Sequence, residues 1–133
     1  MTIPDLTRLD WAAIGAELDA HGCATTGVIL DPAACAALAA GYDDPALFRS
    51  RVVMARHGFG RGEYQYYANP LPPVVAALRT GLYPGLAAIA NRWEVALGQA
   101  PRFPETHAAF LAECHADGQA RPTPLLLRYG PGD

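Results

Sequence analysis

Arg56, His57 and Arg61 stand just before Tyr64, Tyr66 and Tyr67 in this chain. Aromatic rings interleaved with arginine supply what an unstacked nucleobase takes from a protein: flat faces for stacking and cations for its phosphates. In a strand, Tyr64 and Tyr66 share one face and Tyr67 takes the other. The competing reading makes one of those faces ordinary core. Gly58, Gly60 and Gly62 lie in the same stretch. Their backbone N–H groups suit a phosphate. No GK[ST] follows, however, and both flanks have strand composition, so a hairpin connection is the better reading.

His115-Ala116-Asp117 has the form of the local half of a 2-His-1-carboxylate iron site. It closes a predicted helix, whereas such a pair projects from a strand, and no histidine follows it in the chain. It is therefore read as a decoy. His107 falls on an apolar helix face, as a hydrogen-bonded core histidine would. His21 falls at a helix end, where a cation is welcome. No Ser-His-Asp or Cys-His arrangement and no carboxylate pair stands out, so the chain is assigned no catalytic residue and no metal ligand.

The elements that must carry these residues follow from caps and periodicity. Asp10 caps a helix through Trp11, Ile14 and Leu18, which Gly22 closes. Residues 23–30 are extended in composition, broken at Gly27. Asp31-Pro32 opens a second helix with Cys35 and Leu38 inside, ended by Gly41. Residues 48–55 form a strand and residues 63–67 return it. Pro70, Pro72 and Pro73 break the chain. Two helices follow, one from Val74, the other with the apolar stripe Leu86, Ile89, Ala90, Trp93 and Leu97. Pro104 opens a further helix with His107, Phe110, Leu111 and Cys114 inside, ended by Asp117-Gly118. Residues 125–129 make the last strand. No repeat, linker or domain boundary is visible, so residues 1–133 are taken as a single domain.

Composition limits the classes. The chain has 133 residues, is 51% apolar and 17% charged, and carries a net charge of −3. That suits a globular domain with a real core and gives no general drive toward nucleic acid. All ten cationic residues are Arg, a choice that fits bidentate anion contacts or simply a GC-rich genome. Cys23, Cys35 and Cys114 are far apart with no CxxC, so reduced thiols and a cytoplasmic location are expected. The start, MTIPDLTRLDW, lacks the regions of a secretory leader. No stretch comes near the roughly 18 apolar residues that cross a bilayer, so no membrane partner is expected.

The end of the chain carries a further expectation. Leu125, Leu126 and Leu127 after two prolines read as a buried strand, and Gly130-Pro131-Gly132-Asp133 as a turn. A strand entering a turn calls for a partner. The natural protein is expected to continue, and strand pairing with another chain through this strand is the alternative.

The stretch Arg121 to Asp133, with Leu125-Leu126-Leu127-Arg128-Tyr129-Gly130-Pro131-Gly132-Asp133 at its end, resembles the 2-oxoglutarate, iron(II)-dependent dioxygenases. It is similar to a bacterial branch described as oxygenases for oxidative demethylation of damaged DNA, related to AlkB-like repair enzymes. Residues 27–38 and 54–67 support the likeness. It implies an α+β fold: a helical support region and the first strands of a double-stranded β-helix (jelly roll), incomplete in this chain. Tyr129 would hold a carboxylate of 2-oxoglutarate, and Arg56, Arg61, Tyr64 and Tyr66 would face the alkylated DNA. Leu127 stands where related enzymes commonly have Asn. The Fe(II) ligands and the Arg for the far carboxylate lie beyond Asp133 in the family. This chain alone is therefore expected to bind neither Fe(II) nor 2-oxoglutarate tightly and to turn nothing over. An oxygenase acting on protein or a small molecule, and a non-catalytic binding module, are the rival readings.

Overall fold

A computed structural model describes residues 5–133. The first four residues, the start of the stretch read as lacking a leader, lie outside it. The described chain is α+β, with four α-helices and a three-stranded antiparallel sheet. It divides into two compact units, residues 1–31 with 76–119 and residues 32–75 with 120–133.

In the first unit, helix α1 spans Trp11–His21. The Asp10 carboxylate accepts from the Ala13 N–H at 3.0 Å, and Gly22 closes the helix at φ 72°. Both are the cap and stop expected. Helix α3 runs Pro73–Ala96 without a break, with its first three residues in the second unit. It thus replaces the two helices expected. Gly81, Pro84 and Gly85 are breakers by propensity, but here the glycines make room. A Cβ on Gly81 would lie 2.8 Å from the Leu6 side chain, and one on Gly85 would collide with the Trp11 ring. Packing of Leu6 and Trp11 against bare backbone offsets the lost propensity.

The stripe expected to be core on α3 is mostly solvent-facing. Leu86, Trp93 and Leu97 are exposed, while Ala87 and Ile89 are buried. The face that meets α1 is set by the glycines and by Ile89, whose side chain lies 3.7 Å from a Cβ placed on Gly15. At 24 residues the merged helix is also long and apolar enough to cross a bilayer by length and composition alone. The expectation that no stretch comes near that test therefore fails, and the test says nothing of location.

Helix α4, His107–Ala116, is capped by the Thr106 hydroxyl, which accepts from the Ala109 N–H at 3.2 Å. Its half-buried residues are His107, Phe110, Leu111 and Cys114, the face expected. Tyr83 stacks on Phe110 with centroids 5.4 Å apart. Asn91 clamps the approach to α4: its amide donates to the Phe103 carbonyl at 2.8 Å and its oxygen accepts from Arg102 and Phe103 N–H groups at 3.1 and 2.9 Å.

In the second unit, helix α2 spans Pro32–Ala40. Ala34 is its buried residue and Leu38 is half-buried as expected, whereas Cys35 is exposed and its place on the inner face is taken by Ala34. Residues 23–29, before it, form no strand. Strand β1 covers Phe48–Val53, β2 Glu63–Tyr67 and β3 Leu125–Arg128, in the order β1-β2-β3. Met54 leaves β1 and buries itself in a 3₁₀ turn, Met54–His57, that starts the hairpin connection. The register pairs Val53 with Glu63 and Phe48 with Tyr67, with a bulge between Phe48 and Ser50. Tyr67 and Tyr42 are buried. Phe48 contacts both rings, at 4.8 and 5.8 Å between centroids. The leucine run is less buried than expected. β3 lies at the sheet edge, and Leu127 is 54% exposed.

Candidate functional site

Alternation along β2 sorts its side chains onto two sheet faces. Glu63, Gln65 and Tyr67 share one, Tyr64 and Tyr66 the other. The first face holds an ionic network built where the three strands meet. Glu63 stands opposite Arg128 across the β2–β3 ladder and diagonal to Arg51 on β1. Arg51 donates to both Glu63 oxygens, at 2.5 and 2.8 Å, and Arg128 adds a bond at 3.2 Å. The Tyr42 hydroxyl donates to Glu63 Oε2 at 2.9 Å. Arg128 also reaches Asp43 at 3.0 Å and lies 4.2 Å over the Tyr42 ring. The Arg51 fork, helped by Tyr42 and Arg128, holds the Glu63 carboxyl well below its ordinary value, at about 2. Burial, and then the hydrogen bond to Glu63, pushes the Tyr42 hydroxyl up. A cleft of about 320 Å³ opens among Tyr42, Asp43, Arg51, Glu63 and Arg128.

A second cleft, about 430 Å³, lies beside it and is lined by Arg61, Gly62, Glu63, Arg128, Tyr129 and Asp133. Gly62 has φ +94°, and a Cβ there would lie 2.6 Å from the Tyr129 ring. Glycine is thus what lets the ring rest on bare backbone. Tyr129 is 58% exposed. Arg61 donates to the Gly132 carbonyl at 3.1 Å, and the last turn closes on itself, with the Gly130 N–H donating to Asp133 Oδ2 at 2.7 Å. The guanidinium and the tyrosine hydroxyl are the donor types a carboxylate accepts from. Arg61 has five N–H donors, and the bond to Gly132 engages one of them.

The opposite face carries the aromatic pair. Tyr64 and Tyr66 meet edge to face, 5.6 Å between centroids. Arg49 places its guanidinium 4.5 Å over the Tyr66 ring and donates to the Pro122 carbonyl at 2.9 Å. Tyr67, with neither of them, is core.

The structure therefore brings Arg61 and Tyr129 to one cleft and Tyr64 to Tyr66. Arg56 joins neither group: it is exposed in the 3₁₀ turn and forms no ion pair among the described residues. The residues that sequence reasoning passed over are Arg49, Arg51, Glu63 and Tyr42. Their signal was present: two arginines on one strand and a glutamate at the head of the next are a cross-strand charge pair once the hairpin register is drawn.

Among the described residues, no three His, Cys, Asp or Glu side chains converge as a metal site. His115 lies in the last turn of α4 and Asp117 is its C-cap. His107 sits edge-on to Tyr83 at 5.7 Å, and burial followed by the Arg79 charge lowers its pKa. Iron therefore finds no donor set in these residues.

A family model described as an oxygenase, catalysing oxidative methylation of damaged DNA, matches residues 62–133. The match takes in Gly62, Glu63, the aromatic pair, β3 and Tyr129. Two proteins of Mycobacterium tuberculosis, from strains CDC 1551 / Oshkosh and ATCC 25618 / H37Rv, each called an uncharacterized protein, are 44% identical over 64 residues. That stretch is 48% of this chain and 28% of theirs, so the chain spans under a third of the length of the curated relatives it matches. No solved structure matches.

Proposed function

The chain belongs to the family of oxygenases described as catalysing oxidative methylation of damaged DNA, and from that premise we propose that it is part of a 2-oxoglutarate, iron(II)-dependent oxygenase that demethylates alkylated nucleobases. In this reading the sheet is the beginning of a double-stranded β-helix, and the protein works in the cytoplasm. The observation that carries the proposal is the cleft at the end of β3. There Arg61 and Tyr129, held by the Gly132 carbonyl and by Gly62, line one cleft with a guanidinium and a phenol.

Each residue then has a stated task. Tyr129 donates its hydroxyl hydrogen to a carboxylate of 2-oxoglutarate, and Arg61 offers further donors from the same cleft. Tyr64 and Tyr66 present ring faces to the base, and Arg49 presents charge to its phosphates. When bound, iron would activate dioxygen, the oxidant, and 2-oxoglutarate would give up two electrons as it is decarboxylated to succinate. The iron donors are residues outside those described, so these residues bind and orient without performing the oxidation.

The test is turnover by the intact protein. An N-methylated single-stranded oligonucleotide with Fe(II), 2-oxoglutarate and dioxygen should yield formaldehyde and succinate in equal amounts. Succinate release stimulated only by a peptide or small molecule, or none at all, would overturn the assignment.

A further inference from the structure

The tip of the β1–β2 hairpin carries an aromatic ring that the fold does not use. Phe59 is 65% exposed. A single exposed apolar residue is ordinary, but this one is held in place. Its N–H donates to the Met54 carbonyl at 3.0 Å, and the Met54 N–H closes the loop on the Gly62 carbonyl at 3.1 Å. Its ring stacks on His57, 5.4 Å between centroids and 23° between planes. Gly58 and Gly60, at φ 69° and 99°, fix the turn on either side of it. One ring face is thus spoken for by His57, and the side chain stands out from the protein.

The charge along its loop is of one sign. Residues 54–62 contain Arg56 and Arg61 and no Asp or Glu, in a chain whose net charge is −3. Arg61 is tied to the Gly132 carbonyl, while Arg56 is exposed and forms no ion pair among the described residues. A positioned ring and an uncommitted cation on one loop that holds no acid fit a partner with flat apolar faces strung along an anionic backbone. That description is met by a nucleic acid strand. We infer that the hairpin tip is a nucleic-acid contact in which Phe59 stacks on an exposed base and Arg56 pairs with a neighbouring phosphate. The inference rests on the damaged-DNA reading above and adds the contact outside the clefts.

The experiment is a salt titration of binding to a single-stranded oligonucleotide containing 2-aminopurine, with the intact protein. Stacking of one base on an aromatic ring predicts that Phe59→Ala weakens binding at least about fivefold with an unchanged salt slope. Phe59→Trp should restore binding, whereas Phe59→Leu, apolar but not aromatic, should not. Arg56→Ala should instead flatten the slope of log K against log salt by about 0.7, the loss of one phosphate contact on a single strand. Wild-type affinity in Phe59→Ala overturns the inference while methylated-oligonucleotide turnover keeps the oxygenase reading standing. Absence of formaldehyde with a Phe59-dependent affinity sinks the oxygenase reading and keeps the contact. Phe59-dependent binding to phosphatidylserine vesicles, without oligonucleotide binding, makes the tip a membrane contact and overturns the inference.

Discussion

The ring of Tyr129 occupies the space that a side chain on Gly62 would need: a Cβ there would come within 2.6 Å of its Cδ1 and 3.0 Å of the Arg128 carbonyl oxygen. Two strand ends are thereby locked together by a missing atom.

Gly62→Ala should therefore be costly on two counts. Its φ of +94° is strained for any L side chain, and the ring must move. We expect a loss of about 1–3 kcal/mol in stability by urea denaturation. In the intact protein, 2-oxoglutarate affinity should fall as well. Unchanged stability would mean that the ring is not packed on this backbone.

Tyr129→Phe removes a hydroxyl and leaves the packing on Gly62 intact. If that hydroxyl donates to a carboxylate, KM for 2-oxoglutarate in the intact protein should rise about tenfold or more, as expected for a hydrogen bond to a charged group. Stability should stay within about 0.5 kcal/mol of wild type, because the residue is exposed. An unchanged KM removes Tyr129 from the cosubstrate site.

Glu63 makes stability pH-dependent in a defined window. Its folded-state pKa is lowered from 4.5 to about 2. A lowered carboxylate pKa contributes stability that is complete above the unfolded value and is lost as pH falls through the folded one. Wild type should exceed Glu63→Gln in stability at pH 7 by on the order of 1 kcal/mol, since both arginines are half exposed and screened. The gap should narrow below about pH 4.5 and close near pH 2. Thermal melts of the two proteins across pH 7 to 2 check this, and a constant gap would refute it.

Asn91→Ala should loosen the approach to α4. Three hydrogen bonds to residues 102 and 103 are lost with that one side chain. A destabilisation of about 1–3 kcal/mol is expected, with faster amide exchange at Arg102 and Phe103 as the specific readout. Loss of stability without that local change would assign Asn91 a different role.

The elements legible in the sequence are those whose causes are local. Asp10 and Gly22 bound α1 because a carboxylate and a left-handed glycine satisfy helix ends wherever they occur. Glu63–Tyr67 was legible because alternation and the glycine-rich turn before it act within a few residues. The inner face of α4 followed from period alone. The single long α3 was not legible, because Gly81 and Gly85 are kept in the helix by the room they leave for Leu6 and Trp11, more than 70 residues away in the chain. The exposure of Leu86, Trp93 and Leu97 misled for the same reason, since small residues rather than large ones mark where α1 comes close.

For the site, the sequence indicated Arg61, Tyr129, Tyr64 and Tyr66 by residue type. It did not show that they fall into two groups, because which residues meet across the strands depends on register. Glu63 went unremarked since its partners come from Arg51 on one neighbouring strand and Arg128 on the other, 65 residues later.

The bulge at Arg49 has an evolutionary consequence. Phe48 faces Tyr67 and Ser50 faces Tyr66, so Arg49 is a residue that the ladder does not count. Deleting it would leave every other side chain of the hairpin on its own face. A one-residue gain or loss between positions 48 and 50 can thus add or remove the cation over Tyr66 in a single step, altering the chemistry of one sheet face while the hairpin's alternation is inherited unchanged.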